Sequence, residues 1–244
     1  MPDTLTQKSI DFFWELGLHN ERPWFQAHKE EFVEVLDRPF KRLAQETGTI
    51  MKDRLPQRDL SLHVSRIYRD ARRLYGRGPY QDNLWFSIQE GDAKKQGPMF
   101  WFELNGEGTS HGLGYWDRSA RQAGVFRRMI DQDPEAFVQL VEAMPHRERS
   151  RLWGDAYKRP KGSYGPVIDP WYNRKQASVG WENFFGPALF SPELPGLLAE
   201  SFLGLLPLYD FFLHAYRTCR MEELEEEQNS LWGIPGGDNG DERI

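Results

Sequence analysis

The period of apolar positions along this chain changes twice. Ile10, Phe13, Trp14 and Gly17 recur at helical spacing behind the capping candidates Thr4 and Thr6. Asn20 opens a second helix with Pro23 in its first turn, where a missing N–H costs nothing. Phe25, His28, Phe32, Val35 and Leu36 line one side of that helix until Pro39 kinks or restarts it. Two or three helices therefore precede residue 57. The period then falls to two. "LSLHV" places Leu60, Leu62 and Val64 on one side, while "NLWFSIQEG", "GPMFWFELNGEG" and "SHGLGYWD" are aromatic and β-branched runs closed by Gly and Asp. Strands joined by short turns predict an antiparallel sheet with helices on one face, an α+β fold and not a parallel βαβ one. The nine tryptophans raise a carbohydrate-stacking platform, but Trp14, Trp85 and Trp101 sit at periodic positions expected to face the core, so only an exposed cluster would revive that reading.

Helical spacing returns after Ser119 with Val125, Met129 and Ile130, then Phe137, Leu140, Val141 and Met144 behind Pro134. "RLWGDAYKRP" and "SVGWENFFG" are candidate strands that complete the sheet. The last helix is predicted to begin with Ser191 as cap and Pro192 at its first position, with Leu194, Leu197, Leu198, Phe202, Leu205 and Leu206 as its apolar face. Pro207 kinks or ends it, and residues 209–216 form a second apolar piece. The resulting organisation is one α+β domain over residues 1–220, then an acidic helix end and flexible tail over 221–244.

Composition narrows the classes. A chain of 244 residues that is 39% hydrophobic and 14% aromatic can bury a sizeable core. Asp3, Lys8, Asp11 and Glu15 interrupt the early apolar runs, and no later segment reaches the roughly 18–20 apolar residues of a membrane span, so the expectation is a soluble, cytoplasmic protein. A single cysteine, Cys219, expected as a half-buried thiol, excludes an intrachain disulfide or a multi-cysteine metal site. The six histidines show no metal-ligand spacing, although His28 and His63 remain free to meet in space. The sequence requires no cofactor.

Charge is placed unevenly. Residues 221–244 carry eight acidic side chains against Arg243 alone, so a tail of −7 offsets a body of +1 within the net −6. Within that near-neutral body, "SRIYRDARRLYGRGPY" (65–80) holds five arginines and one aspartate. Continued as a strand, the segment puts Arg66, Tyr68 and Asp70 on the covered face; turned helical, it aligns Arg66, Arg69, Asp70 and Arg73. Either geometry gathers guanidinium groups around one carboxylate, and half-buried charge needs a second anion. That anion is an acidic side chain such as Glu103, Asp155 or Asp169, giving an internal ion-pair network, or a ligand phosphate or carboxylate. Tyr75 and Tyr80 flank a Gly-Arg-Gly-Pro turn that carries Arg77. A nucleic-acid interface would need a basic excess over a whole face, which the chain lacks.

Gly108-Thr109-Ser110-His111-Gly112 matches the G-x-S-x-G nucleophile elbow, with His146 and His214 downstream. An elbow stands between a buried parallel strand and a helix. Here "HGLGYW" continues as strand, so the glycines read as serving a hairpin.

The run Arg66-Ile67-Tyr68-Arg69-Asp70-Ala71-Arg72, continued to Pro79-Tyr80, resembles the R-x-x-R-D-x-R-F-x-x-[DN]-K-x-x-Y motif of a bacterial family of conserved proteins of unknown function. Asn20-Glu21-Arg22-Pro23-Trp24-Phe25, Gly112-Leu113-Gly114-Tyr115-Trp116 and the Lys158-Arg159-Pro160 to Gly162 turn resemble further segments of that family, so the similarity spans roughly residues 9–218. Arg73 replaces the motif's Phe, and Gly76-Arg77 replaces its acidic or amide residue and Lys. The resemblance implies one α+β domain and points to the same segment; it implies no reaction.

The functional expectation is a small anionic ligand, phosphorylated or carboxylated, held by Arg66, Arg69, Asp70, Arg72, Arg77 and Tyr80, with Lys158 joining from the later turn. In that reading Arg69 and Arg72 grip the anion, Asp70 orients an arginine or a ligand hydroxyl, and Tyr80 hydrogen-bonds or stacks. The alternative is a non-catalytic structural or interaction protein whose arginines form an internal network or meet an acidic partner, with Glu222 to Glu227 competing for the patch. A nucleic-acid binder and a serine hydrolase using Ser110 rank behind both.

Overall fold

The computed structural model describes residues 4–70, 72, 76–91, 97–116 and 118–231. Helices α1 (Gln7–Leu18), α2 (Arg22–Ala27), α3 (Lys29–Phe32) and α4 (Arg38–Arg54) come first, followed by strands β1 (Leu60–Val64), β2 (Asn83–Glu90), β3 (Met99–Asn105) and β4 (Gly108–Tyr115). After α5 (Ala120–Gln132) and α6 (Pro134–Glu142) the chain adds β5 (Arg151–Trp153), α7 (Asp169–Tyr172) and β6 (Ala177–Glu182), and it closes with α8 (Leu194–Gly204) and α9 (Leu206–Leu231). The strands form one sheet in the order β1-β2-β3-β4-β6-β5, antiparallel throughout, and the fold is a single α+β domain.

Local chemistry explains the entry into α4. Pro39 lacks the N–H that would bond the Val35 carbonyl one turn back. The buried Ser9 hydroxyl of α1 donates to that carbonyl at 2.6 Å instead, and the chain loosens into a π-helical stretch, Val33–Asp37, just before the proline. The missing donor thus becomes a tie between two helices.

One sheet face carries the core. Phe86, Phe100, Phe102, Leu104 and Leu113 are buried beneath α4, α8 and α9. Phe40 of α4 packs against Phe86 and Phe102 with ring centres 5.9 and 6.1 Å apart, while Phe202 of α8 and Tyr209 of α9 stack on Phe100 at 5.3 and 4.6 Å. Polar ties fix the end of β2 to α9. The Glu90 N–H donates to the Tyr209 hydroxyl at 2.9 Å, and Arg58 forks onto Asp210 at 2.6 and 2.9 Å while also reaching the Glu90 carboxylate at 3.1 Å.

Several expectations need correction. Trp14 is 60% exposed because Phe12, Phe13 and Leu16 form the buried side of α1, and Trp85 and Trp101 face away from the helical layer. Helix α8 starts at Leu194 with Pro195 in its first turn. Ser191 instead ends a 3₁₀ turn, Gly186–Phe190, and accepts the Glu193 N–H on its hydroxyl, which leaves Leu197 exposed. Pro207 opens α9 at an angle of 59° to α8, and α9 continues through the acidic run. Cys219 is fully buried. Glu226 is forked by Arg121 of α5 at 2.6 and 2.7 Å, and Glu222 pairs with Arg128, so these acids face α5 and not the arginine-rich segment. Residues 232–244 lie outside the described residues. Among the described residues no single helix is long and apolar enough to cross a membrane.

His111 of β4 sits between the sheet and α8, sharing a hydrogen bond with the Ser201 hydroxyl at 2.9 Å and stacking on Phe185 at 4.6 Å. Burial pushes its pKa down to about 3. The unfolded chain therefore binds this proton below pH 6.5 while the folded chain refuses it, so stability falls as pH drops from 6.5 toward 3 by up to about 1.4 kcal/mol per unit. Urea unfolding followed from pH 7 to pH 4 is expected to show a steeper loss in the wild type than in His111→Gln; parallel curves would remove His111 as the cause.

Candidate functional site

The arginine-rich segment leaves the sheet at Ser65. Ser65 donates its N–H to the Trp85 carbonyl and accepts the Trp85 N–H on its hydroxyl, both at 2.8 Å, and the chain returns through an isolated bridge between Tyr68 and Tyr80. Leaving the ladder resets the alternation. Ile67 is buried, whereas Arg66, Tyr68 and Asp70 face outward, contrary to the strand continuation that puts them on the covered side. Desolvation explains the change, because an isoleucine buries favourably and unpaired charge does not. Residues 66–70 are not helical either, and Arg73 and Tyr75 lie outside the described residues.

Arg69 is the arginine that turns inward. Its side chain is 8% exposed, its Nε and Nη2 donate to the carbonyls of Gly78 and Tyr80 at 3.3 and 3.1 Å, and Asp82 stands 3.8 Å away. Tyr80 is held from a second side as well. Asn20 donates Nδ2 to its carbonyl and accepts its N–H, both at 3.0 Å, and its buried ring stacks on Phe25 at 4.0 Å. Two of the stretches that carry the family resemblance therefore meet in space. On the surface, Arg72 forks onto Asp70 at 3.1 and 2.8 Å. Arg66 and Arg77 are exposed. Lys158 follows β5, five strands across the sheet from β1 and beyond the opposite end of the strands, so it does not join the segment. Glu103 lies on the open sheet face and Asp169 accepts from Ser163 and the 164–165 backbone. The structure thus joins Arg69 to Tyr80 and Arg72 to Asp70.

A concave feature lies on the sheet face turned away from α4, α8 and α9. Direct cross-strand partners share a face, so the register can be read row by row. One row runs Trp85–Glu103–Ser110–Glu182 across β2, β3, β4 and β6; the next holds Trp101, Gly112 and Gly180; a third runs Met99–Gly114–Ser178–Trp153. Trp85, Glu103, Ser110, Glu182, Trp101, Met99 and Trp153 from these rows, with Asn83, Asn105 and Trp116, line a groove of about 520 Å³. The glycines of the rows mark close approaches beside it. A Cβ on Gly112 would fall 2.0 Å from the Val179 carbonyl oxygen, and one on Gly114 would fall 2.4 Å from Trp116 Nε1, so the Trp116 indole lies directly on the strand. Trp101 meets Trp116 and Trp153 edge to face at 6.2 and 5.8 Å and donates Nε1 to Ser178 at 3.2 Å, which fixes the aromatic wall.

The polar lining is mostly acceptor. Glu103 accepts from Asn105 at 3.4 Å, and Glu182 takes Arg151 through both oxygens at 3.0 and 3.2 Å. Two strand spacings separate the two glutamates, about 10 Å between backbones. Ser110 stands between them without the base an elbow needs: His111 lies on the other face, bonded to Ser201, and the glycines of that run belong to strand β4, the hairpin turn lying at residues 105–108. His28 rests on Trp24 and His63 against Trp85, so the two do not form a pair. Sequence reasoning missed the groove, although Asn83, Glu103, Asn105 and Ser110 share parity with the tryptophans.

A structural Arg69–Tyr80–Asn20 unit makes a testable contrast. Asn20→Ala removes the acceptor of the Tyr80 N–H and one of the two donors to its carbonyl, which Arg69 still serves, and is expected to cost about 1–3 kcal/mol. Arg72→Ala, which removes only a solvent-exposed pair, is expected to leave the urea unfolding curve where it is. Equal shifts for the two variants would argue against this division of labour.

No curated protein matches this chain. Residues 8–211 match a family model described as a conserved hypothetical protein. That match spans most of the 244 residues and agrees with the resemblance to a family of unknown function: the chain belongs to the DUF2461 family of conserved hypothetical proteins.

Proposed function

We propose that the chain is a carbohydrate-binding protein whose ligand, neutral and polyhydroxylated, lies in the groove on the open sheet face. The observation that carries this reading is the meeting of four indoles, Trp85, Trp101, Trp116 and Trp153, with two amides, a hydroxyl and two carboxylates in one concavity. Indole faces suit the C–H faces of a sugar ring, and the interleaved amide and carboxylate groups suit its hydroxyls. Among the described residues lining the groove, Glu103 and Glu182, the latter paired with Arg151, disfavour a phosphate or carboxylate ligand.

An anionic ligand held by Arg66, Arg69, Asp70, Arg72, Arg77 and Tyr80 has less support. The donors of Arg69 point at carbonyls and those of Arg72 at Asp70, so these two are already engaged, while Arg66 and Arg77 stand exposed on the surface. Arg69 instead supports the structural alternative.

Thermal-shift and calorimetric titration with neutral saccharides, phosphates and carboxylates separates the readings. Saccharides alone are expected to stabilise the protein. Trp116→Ala and Glu103→Gln are each expected to weaken that binding by about tenfold or more, with Arg72→Ala unchanged. Stabilisation by phosphates that disappears in Arg72→Ala would restore the anion reading in place of the groove.

A further inference from the structure

The sheet groove does not end at Asn105. A second concavity of about 440 Å³ opens where β3 turns into β4, and it shares Asn83, Glu103 and Asn105 with the first. Its far wall is α1. Trp14, which the helical pattern assigns to the core, is 60% exposed there, and Leu18 beyond it is 74% exposed. The Trp14 indole rests near the β-turn, since a Cβ on Gly106 would meet its Cδ1 and Nε1 at 3.6 Å. Gly17, one turn along the same helix side, leaves the space beside the indole empty, with nothing within 4 Å of where a Cβ would stand.

We propose that this cleft is a second stacking subsite of the same groove, and that the ligand is therefore a linear, neutral oligosaccharide and not a single sugar. The proposal rests on the carbohydrate reading above. Length supports it: Met99 to Asn105 alone covers about 20 Å of open sheet, and the Trp14 cleft extends that path past the end of the strands. Chemistry supports it too, because the second cleft repeats the composition of the first, an exposed indole beside amides and carboxylates. Asp82 and Glu107 at its rim disfavour acidic sugars in the same way. Trp14 acts here as a specificity residue for chain length.

Calorimetric titration with cello-, xylo- and chito-oligosaccharides of one to six units reads this directly, using the wild type, Trp14→Ala and Gly17→Phe. Gly17→Phe fills the cleft from a position with open space around it, so it blocks the subsite without removing the indole. In one series, long members are expected to bind at least about tenfold more tightly than the shortest binding member. Both variants should erase that gain and leave the short member's affinity unchanged. Equal affinity at every length, or a gain that survives both substitutions, overturns the second subsite while leaving the sheet groove intact. Failure of every member to bind overturns both.

Discussion

Everything in this molecule depends on a strand having two faces and one register. Phe86, Phe100, Phe102 and Leu113 go under the helices, where Phe40, Phe202 and Tyr209 pack on them. With those positions committed, Trp85, Trp101, Glu103, Asn105 and Ser110 have only the other face to occupy. A slip of one residue in β3 would bury Glu103 in the core and expose Phe102, a loss far larger than any gain from covering the indoles. The groove is therefore the necessary reverse of the core.

That necessity explains where the tryptophans lie but not why glycines stand among them. Close approach requires them: a Cβ on Gly112 would fall 2.0 Å from the Val179 carbonyl oxygen, one on Gly180 1.9 Å from the His111 carbonyl oxygen, and one on Gly114 2.4 Å from Trp116 Nε1. Glycine inside a strand weakens it, and here it is what lets β4 and β6 lie this close and the Trp116 indole rest on β4.

The α+β class, strands β1 to β4, the helices around them and the break at Pro207 were legible in the sequence, because periodicity and turn residues report local geometry directly. The two faces were not. "NLWFSIQEG" and "GPMFWFELNGEG" read as apolar on both sides, and the larger side chain was assigned inward. Parity offered the missing signal: in both runs the polar residues, Asn83, Glu103 and Asn105, alternate in step with the tryptophans and out of step with the phenylalanines. The arginine-rich segment misled for a different reason. Alternation was carried past Ser65, where the chain leaves the ladder, and a sequence does not reveal that Arg69 finds its partners among backbone carbonyls of its own loop.

Those backbone partners give the arginine-rich segment a place in the same design. Arg69 and Asn20 fix the backbone at Tyr80, and Phe25 fixes its ring, two residues before the chain reaches Asp82 and Asn83. Asn83 lines both concavities, and Asn20 follows directly on α1, the helix that carries Trp14. Holding residue 80 against residue 20 therefore sets the distance between the edge of the sheet groove and the helix that walls its extension. Buried hydrogen bonds suit that task, since misplacing either end leaves polar groups unsatisfied and the geometry has little freedom to drift. Arg69 and Asn20, from the stretches that make the chain recognisable in sequence, then build the frame, and in the proposed reading the contacts with ligand fall to tryptophans and amides that no charge pattern singles out.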